Sequence, residues 1–115
     1  MIPPFAVAVL VVVALAPAPV RVAPEPKESI ATVRGVATWY SRESGGAAAG
    51  PGLRRALGKG WRGKIVTVCA AKCVRVRLDD WCLCSKGERL VDLAAGDFAG
   101  IAALSRGVVK VDVRY

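Results

Sequence analysis

Three carboxylates stand out as groups able to do chemistry: the adjacent Asp79 and Asp80, directly after an apolar run, and Asp92, between Val91 and Leu93. The chain contains no histidine. That removes imidazole general bases, Ser-His-Asp and Cys-His nucleophile pairs and His-ligated metals. Acid-base work therefore falls to carboxylates. Cleaving a glycosidic bond is one such task, provided burial or a neighbouring carboxylate keeps a carboxyl protonated near neutral pH. A transglycosylase that dispenses with water needs only one such group, acid first and base afterwards, because a hydroxyl of the sugar is the nucleophile. Asp80 and Asp92 couple if their segments adjoin. The plainer roles are turn-amide acceptors for Asp79 and Asp80, and an ion pair for Asp92. Trp39, Tyr40, Trp61 and Trp81 offer flat faces on which a pyranose ring packs. Trp81, beside Asp80, is expected to face a groove, and Trp61, in a Gly-rich loop, to be structural.

The elements that position these residues read as mainly β. Val66, Val68, Val74, Val76 and Leu78 recur at period two with Arg75 and Arg77 on the other face, which predicts strands over Ile65–Cys69 and Val74–Leu78. Val109, Val111 and Val113 alternate with Lys110, Asp112 and Arg114 in the same way. Thr32 to Tyr40 reads as a first strand with a bend or bulge near Gly35. A helical turn is expected over Leu53–Leu57, and a helix over Ala95–Leu104, its stripe formed by Phe98, Ile101, Ala102 and Leu104 and its end marked by Gly107. No internal repeat is visible. Strands with one or two short helices in so small a chain predict a closed barrel.

Four cysteines, an even number in a small chain read as exported, point to two disulfides. Cys69 and Cys73 flank a hairpin-like Ala70-Ala71-Lys72 and can face each other at bridging distance. Cys82 and Cys84 would close a tight ring, so pairings crossed between the two groups stay open. The C-x3-C and C-x-C spacings fit poorly with zinc knuckles.

Residues 1–20 carry no charge, with an apolar stretch from Phe5 to Leu15 followed by Ala16-Pro17-Ala18-Pro19. This reads as a signal peptide or an N-terminal membrane anchor. Residues 21–30 read as a spacer and 31–115 as the folded domain. Lys and Arg number 17 against 9 Asp and Glu, a formal charge of +8, and the first charge is Arg21. The folded part therefore carries the excess and favours polyanions. The candidates are nucleic acid, an acidic membrane face or an anionic cell-wall polymer, and export with disulfides argues against the first. Arg54, Arg55, Arg62, Arg75 and Arg77 read as a solvated face or as attractors of stem-peptide carboxylates and wall phosphates.

The order Gly35-Val36-Ala37-Thr38-Trp39-Tyr40-Ser41, then Ala47-Ala48-Ala49-Gly50, a hairpin, Val76-x-Leu78-x-Asp80, Leu90-Val91-Asp92-Leu93, Phe98 and Gly107-Val108-Val109 resembles the RlpA-like (rare lipoprotein A), barwin and expansin superfamily. The resemblance covers nearly the whole folded domain. It implies a six-stranded double-psi β-barrel with a polysaccharide groove across one face, in a monomer that is secreted or held in the cell envelope and uses no cofactor or metal. Some bacterial members are lytic transglycosylases on peptidoglycan, whereas expansins loosen walls without hydrolysis. By matching motifs, the family's catalytic Asp positions fall on Asp80 and Asp92, and its groove Thr on Thr38; Trp39, Tyr40 and Trp81 are the expected sugar contacts. Departures are Trp81-Cys82-Leu83 in place of Arg-Gly-Pro, Ala94 for the Ser of Asp-Leu-Ser, and Leu90 and Cys82 where expansins carry His and Tyr. The expectation is thus an exported wall protein that binds peptidoglycan and cleaves it through an Asp acid/base, or else a non-catalytic expansin-like module.

Overall fold

The computed structural model describes residues 31–84 and 89–115, so the signal peptide or anchor expected at 1–20 and the spacer at 21–30 lie outside the described residues. Six strands form the domain: β1 (Thr32–Tyr40), β2 (Gly46–Ala49), β3 (Ile65–Cys69), β4 (Cys73–Trp81), β5 (Arg89–Ala94) and β6 (Val109–Arg114). Helix α1 (Pro51–Leu57) follows β2, and α2 (Ala95–Ala99) follows β5. The strands close into one barrel in the order β1-β5-β2-β4-β3-β6. Closure leaves no free sheet edge and lets period-two strands bury one face. Ala47, Val68, Leu78, Val91, Leu93 and Val113 face inward without exposure, and Leu53 of α1 and Phe98 of α2 complete the core.

Two seams, β1–β5 and β2–β4, are parallel and the other four antiparallel. Exchanging β1 with β4, β2 with β5 and β3 with β6 maps each seam onto a seam of the same sense. The barrel thus has a twofold order that the residues themselves do not display. Each parallel seam carries a register shift, one between Val36 and Ala37, one residue from the bend expected at Gly35, and one between Ala47 and Ala48.

Both expected valine strands form, but β4 runs on to Trp81, so Asp79 and Asp80 lie in a strand rather than a turn. The long helix expected over Ala95–Leu104 is shorter. After Ala99 the chain tightens into bonds such as Gly100 N–H to Asp97 O and Ile101 N–H to Phe98 O, and Ala103 turns extended. Phe98 and Ile101 are buried all the same, one in the short helix and one in the bend after it, whereas Leu104 of the expected stripe is exposed. Gly107 closes a separate 3-10 turn, Leu104–Arg106, at φ 68°. Cys69 pairs with Cys73 across the β3–β4 hairpin and Cys82 with Cys84 across one residue, so the tight ring forms and the crossed pairings do not.

Gly50 closes β2 onto β5 by donating to Leu90 O at 2.9 Å, and its carbonyl accepts from Arg54 at 3.0 Å to open α1. A Cβ there would collide with the Arg89 carbonyl oxygen, a backbone atom that no rotamer change can move. Gly50→Ala should therefore lower unfolding stability by about 2 kcal/mol in chemical denaturation. Gly60→Ala, whose Cβ meets open space, should stay within about 0.5 kcal/mol of the parent.

Candidate functional site

The barrel register lines up four residues on adjacent strands. Thr38 of β1 pairs with Asp92 of β5, Asp92 pairs with Ala48 of β2, and Ala48 pairs with Asp80 of β4. Residues paired across a sheet share a face, so this row lies on the outer face while its strand neighbours Ala47, Ala49, Val91 and Leu93 fill the core. β2 stands between the two carboxylate strands. Asp80 and Asp92 therefore do not adjoin, contrary to the coupling considered above, and their Cα atoms are about two strand spacings, roughly 9–10 Å, apart. The methyl group of Ala48 lies between them and is buried.

Each carboxylate has its own donors. The Thr38 hydroxyl, on a buried residue, donates to Asp92 Oδ1 at 2.8 Å. Tyr40, two residues along the same face of β1, donates its hydroxyl to Asp80 Oδ2 at 3.0 Å, and the Trp81 amide donates to Asp80 Oδ1 at 2.8 Å. The helix after Asp92 has Ala94 as its N-cap, so Asp92 caps nothing. Asp79 pairs with Arg42, Nη1 to Oδ1 at 3.0 Å. Arg42 Nη1 also donates to the Tyr40 hydroxyl oxygen at 3.1 Å, joining Asp79, Arg42, Tyr40 and Asp80 in one chain. Burial raises the Tyr40 pKa above its usual value, so the phenol keeps its proton and donates. Tyr40 and Asp79 in turn hold the Arg42 guanidinium protonated.

Gly46 is what lets the ion pair sit there, since a Cβ at that position would run into the Arg42 and Asp79 side-chain ends. On the other side of Asp80, Trp81 is about half exposed. Arg54 lies near both its ring and that of Trp61, and Arg62 lies over Trp61.

Of the residues singled out in the sequence, Thr38, Tyr40, Asp80 and Asp92 thus share one face, whereas Trp81 pairs with core-facing Ala49 and lies half-exposed at the end of β4. Trp39 does not share that face either. Strand alternation turns it to the other side of β1, where it packs on the core and donates Nε1–H to Leu104 O at 3.0 Å. Trp61 packs against the core as expected. Sequence reasoning assigned no role to Ala48, Arg42 or Gly46. A small residue and a glycine give no chemical signal, and the Arg42–Asp79 pairing spans a loop and three strands. The disulfides leave no free cysteine for a metal, and no cluster of potential ligands exists among the described residues.

No protein-family model matches the chain, and no curated protein matches its sequence. Solved structures do resemble it. An apo expansin of Clavibacter michiganensis superposes with TM-score 0.61 at 18% identity, covering 74% of this chain and 50% of that one. A variant of the same expansin in complex with cellohexaose gives 0.60 at 17% identity, with the same coverage. The Streptomyces papain inhibitor gives 0.58 at 22% identity over 75% of this chain and 94% of its own, and a computationally designed double-psi barrel gives 0.50 at 15%. The chain spans about half the length of the expansins. The fold is the double-psi β-barrel.

Because Thr38 bonds Asp92 and not Asp80, a double-mutant cycle should separate them. Thr38→Val with Asp92→Ala should show a coupling of about 1 kcal/mol in denaturant unfolding, whereas Thr38→Val with Asp80→Ala should be additive within about 0.5 kcal/mol.

Proposed function

We propose that this domain is an exported cell-wall protein that binds peptidoglycan glycan strands along the Thr38–Asp92–Ala48–Asp80 row, and that Asp80 is the acid and base of a lytic transglycosylation there. The observation that carries this reading is the register that sets Asp92 and Asp80 on either side of β2 in one row. Ala48 between them is buried, so a sugar chain would lie over the two carboxylates and Tyr40, which are placed to take its hydroxyls. The cellohexaose complex of the expansin variant supports polysaccharide as the ligand class for this fold.

One carboxyl suffices for the chemistry. Asp80 gives its proton to the glycosidic oxygen as the bond breaks, then takes the proton of the sugar's own primary hydroxyl as that oxygen closes on the anomeric carbon. The product is an anhydro sugar, and water is not consumed. Asp92, two strands away and held by Thr38, orients hydroxyls in this scheme. Trp39 is left to a structural role. A second reading has its own support. Both oxygens of Asp80 already accept a hydrogen bond, and a carboxylate held in that way also serves a non-catalytic, expansin-like module that binds or loosens the wall.

Incubation with purified sacculi followed by mass spectrometry separates the two. Lytic action should release anhydro-muropeptides that disappear in Asp80→Asn. Co-sedimentation with sacculi and no soluble product would leave the non-catalytic reading, and absence of both would remove wall binding. In either case Asp92→Ala, which removes one carboxylate of the row, should weaken sedimentation with sacculi about tenfold, with the unfolding temperature as the control.

A further inference from the structure

Beside the row, Trp81, Arg54, Trp61 and Arg62 alternate as ring, cation, ring, cation. The Arg54 guanidinium lies 5.4 Å from the Trp81 ring centre and 5.9 Å from that of Trp61, and Arg62 lies 4.6 Å from Trp61. Both guanidinium groups are pinned to backbone. Arg54 Nη1 donates to Ala49 O at 2.6 Å and to Cys82 O at 3.1 Å, and Arg62 Nη1 donates to Asp79 O at 2.9 Å. Neither is matched by a carboxylate: the ion pairs among the described residues are Arg34–Asp112 and Arg42–Asp79. A guanidinium has five N–H donors in a planar fork, so each arginine keeps donors beyond those its carbonyl partners use. Stacking and backbone bonds have already taken up much of the ordering entropy that an exposed arginine would lose on binding. Among the described residues, these are two preorganised cations without a carboxylate partner, set beside a half-exposed tryptophan.

We infer that this ladder is a subsite for a carboxylate-bearing sugar, so that the groove prefers acidic glycan strands over neutral ones. The inference rests on the wall-binding reading above and specifies its substrate class. The position argues for it, because Trp81 directly follows Asp80 and Arg62 holds the Asp79 carbonyl, so the ladder adjoins the Asp80 end of β4. The chemistry argues for the ligand. A sugar ring packs on the Trp81 face while the planar guanidinium groups meet a carboxylate in two-point fashion, which neither a neutral sugar nor a bare anion would use in full. In peptidoglycan that carboxylate comes either from the lactyl group of the sugar or from the stem peptide.

Calorimetric titration tests this with three polymers that share a β-1,4-linked aminosugar backbone. They are neutral chitohexaose, amidase-stripped peptidoglycan strands with free lactyl carboxylates, and peptide-bearing strands. The wild-type domain should bind at least one acidic polymer about tenfold more tightly than chitohexaose, and the gap should narrow in raised salt. Which acidic polymer gains identifies the source of the carboxylate. Arg62→Gln and Arg54→Lys should each shrink the gap to less than about threefold. If Arg54→Lys fails to fold, Arg62→Gln decides alone, since Arg62 is exposed. Equal binding of acidic and neutral strands by the wild type, or a gap that survives in the variants, overturns the subsite and leaves wall binding standing. Binding to none of the polymers overturns both.

Discussion

The simultaneous pairing of Ala48 with Asp92 on one side and Asp80 on the other is the constraint on which the surface depends. It follows from closure, because β2 joins β5 through an antiparallel seam and β4 through a parallel one. The interposed strand keeps the carboxylates from sharing a proton or repelling at contact distance. Each instead finds a neutral hydroxyl donor from β1, Thr38 for one and Tyr40 for the other. The small side chain between the two carboxylates, that of Ala48, is itself buried.

The twofold order of the barrel sets Thr38 equivalent to Asp80 and Ala48 equivalent to Asp92, since the exchange of strands carries the Thr38–Asp92 pair onto Asp80–Ala48. Each strand then leads, three residues after Ala48 or Asp92, into a helix. A tryptophan follows each outer member of the row, yet the two rings have parted company. Trp39 has gone to the core, bonded to Leu104 O, and Trp81 stays half exposed beside Arg54. One scaffold position thus serves packing in one half and surface chemistry in the other. The basic-aromatic ladder exists on one side of the row because α1 supplies Arg54, whereas α2 has no arginine.

Local pattern made much of this legible. The valine alternation of β3, β4 and β6, the first strand and the Cys69–Cys73 hairpin all depend on residues a few positions apart, where period and loop length carry the information. The α2 helix was overextended because an apolar stripe reads the same whether it is buried by three turns or by a turn and a half and a tight bend. Thr38, Asp80 and Asp92 were reachable through motif order. Their mutual geometry was not, because it is set by pairings between distant residues, Thr38 with Asp92, Ala48 with Asp92 and Ala48 with Asp80, which no short window along the chain contains. The separation of the carboxylates by Ala48, the turning away of Trp39 and the bridging role of Arg42 are all consequences of the seam order.

Ala31 and Tyr115 exchange both backbone hydrogen bonds, each at 3.0 Å. The first and last described residues of the barrel therefore touch, and seven residues of extended strand, about 23 Å, separate this junction from Thr38. Whatever is fused at either end departs from one pole while the carboxylate row sits toward the other. The domain has the geometry of a cassette that can be spliced into the surface turn of a host protein without hiding its groove.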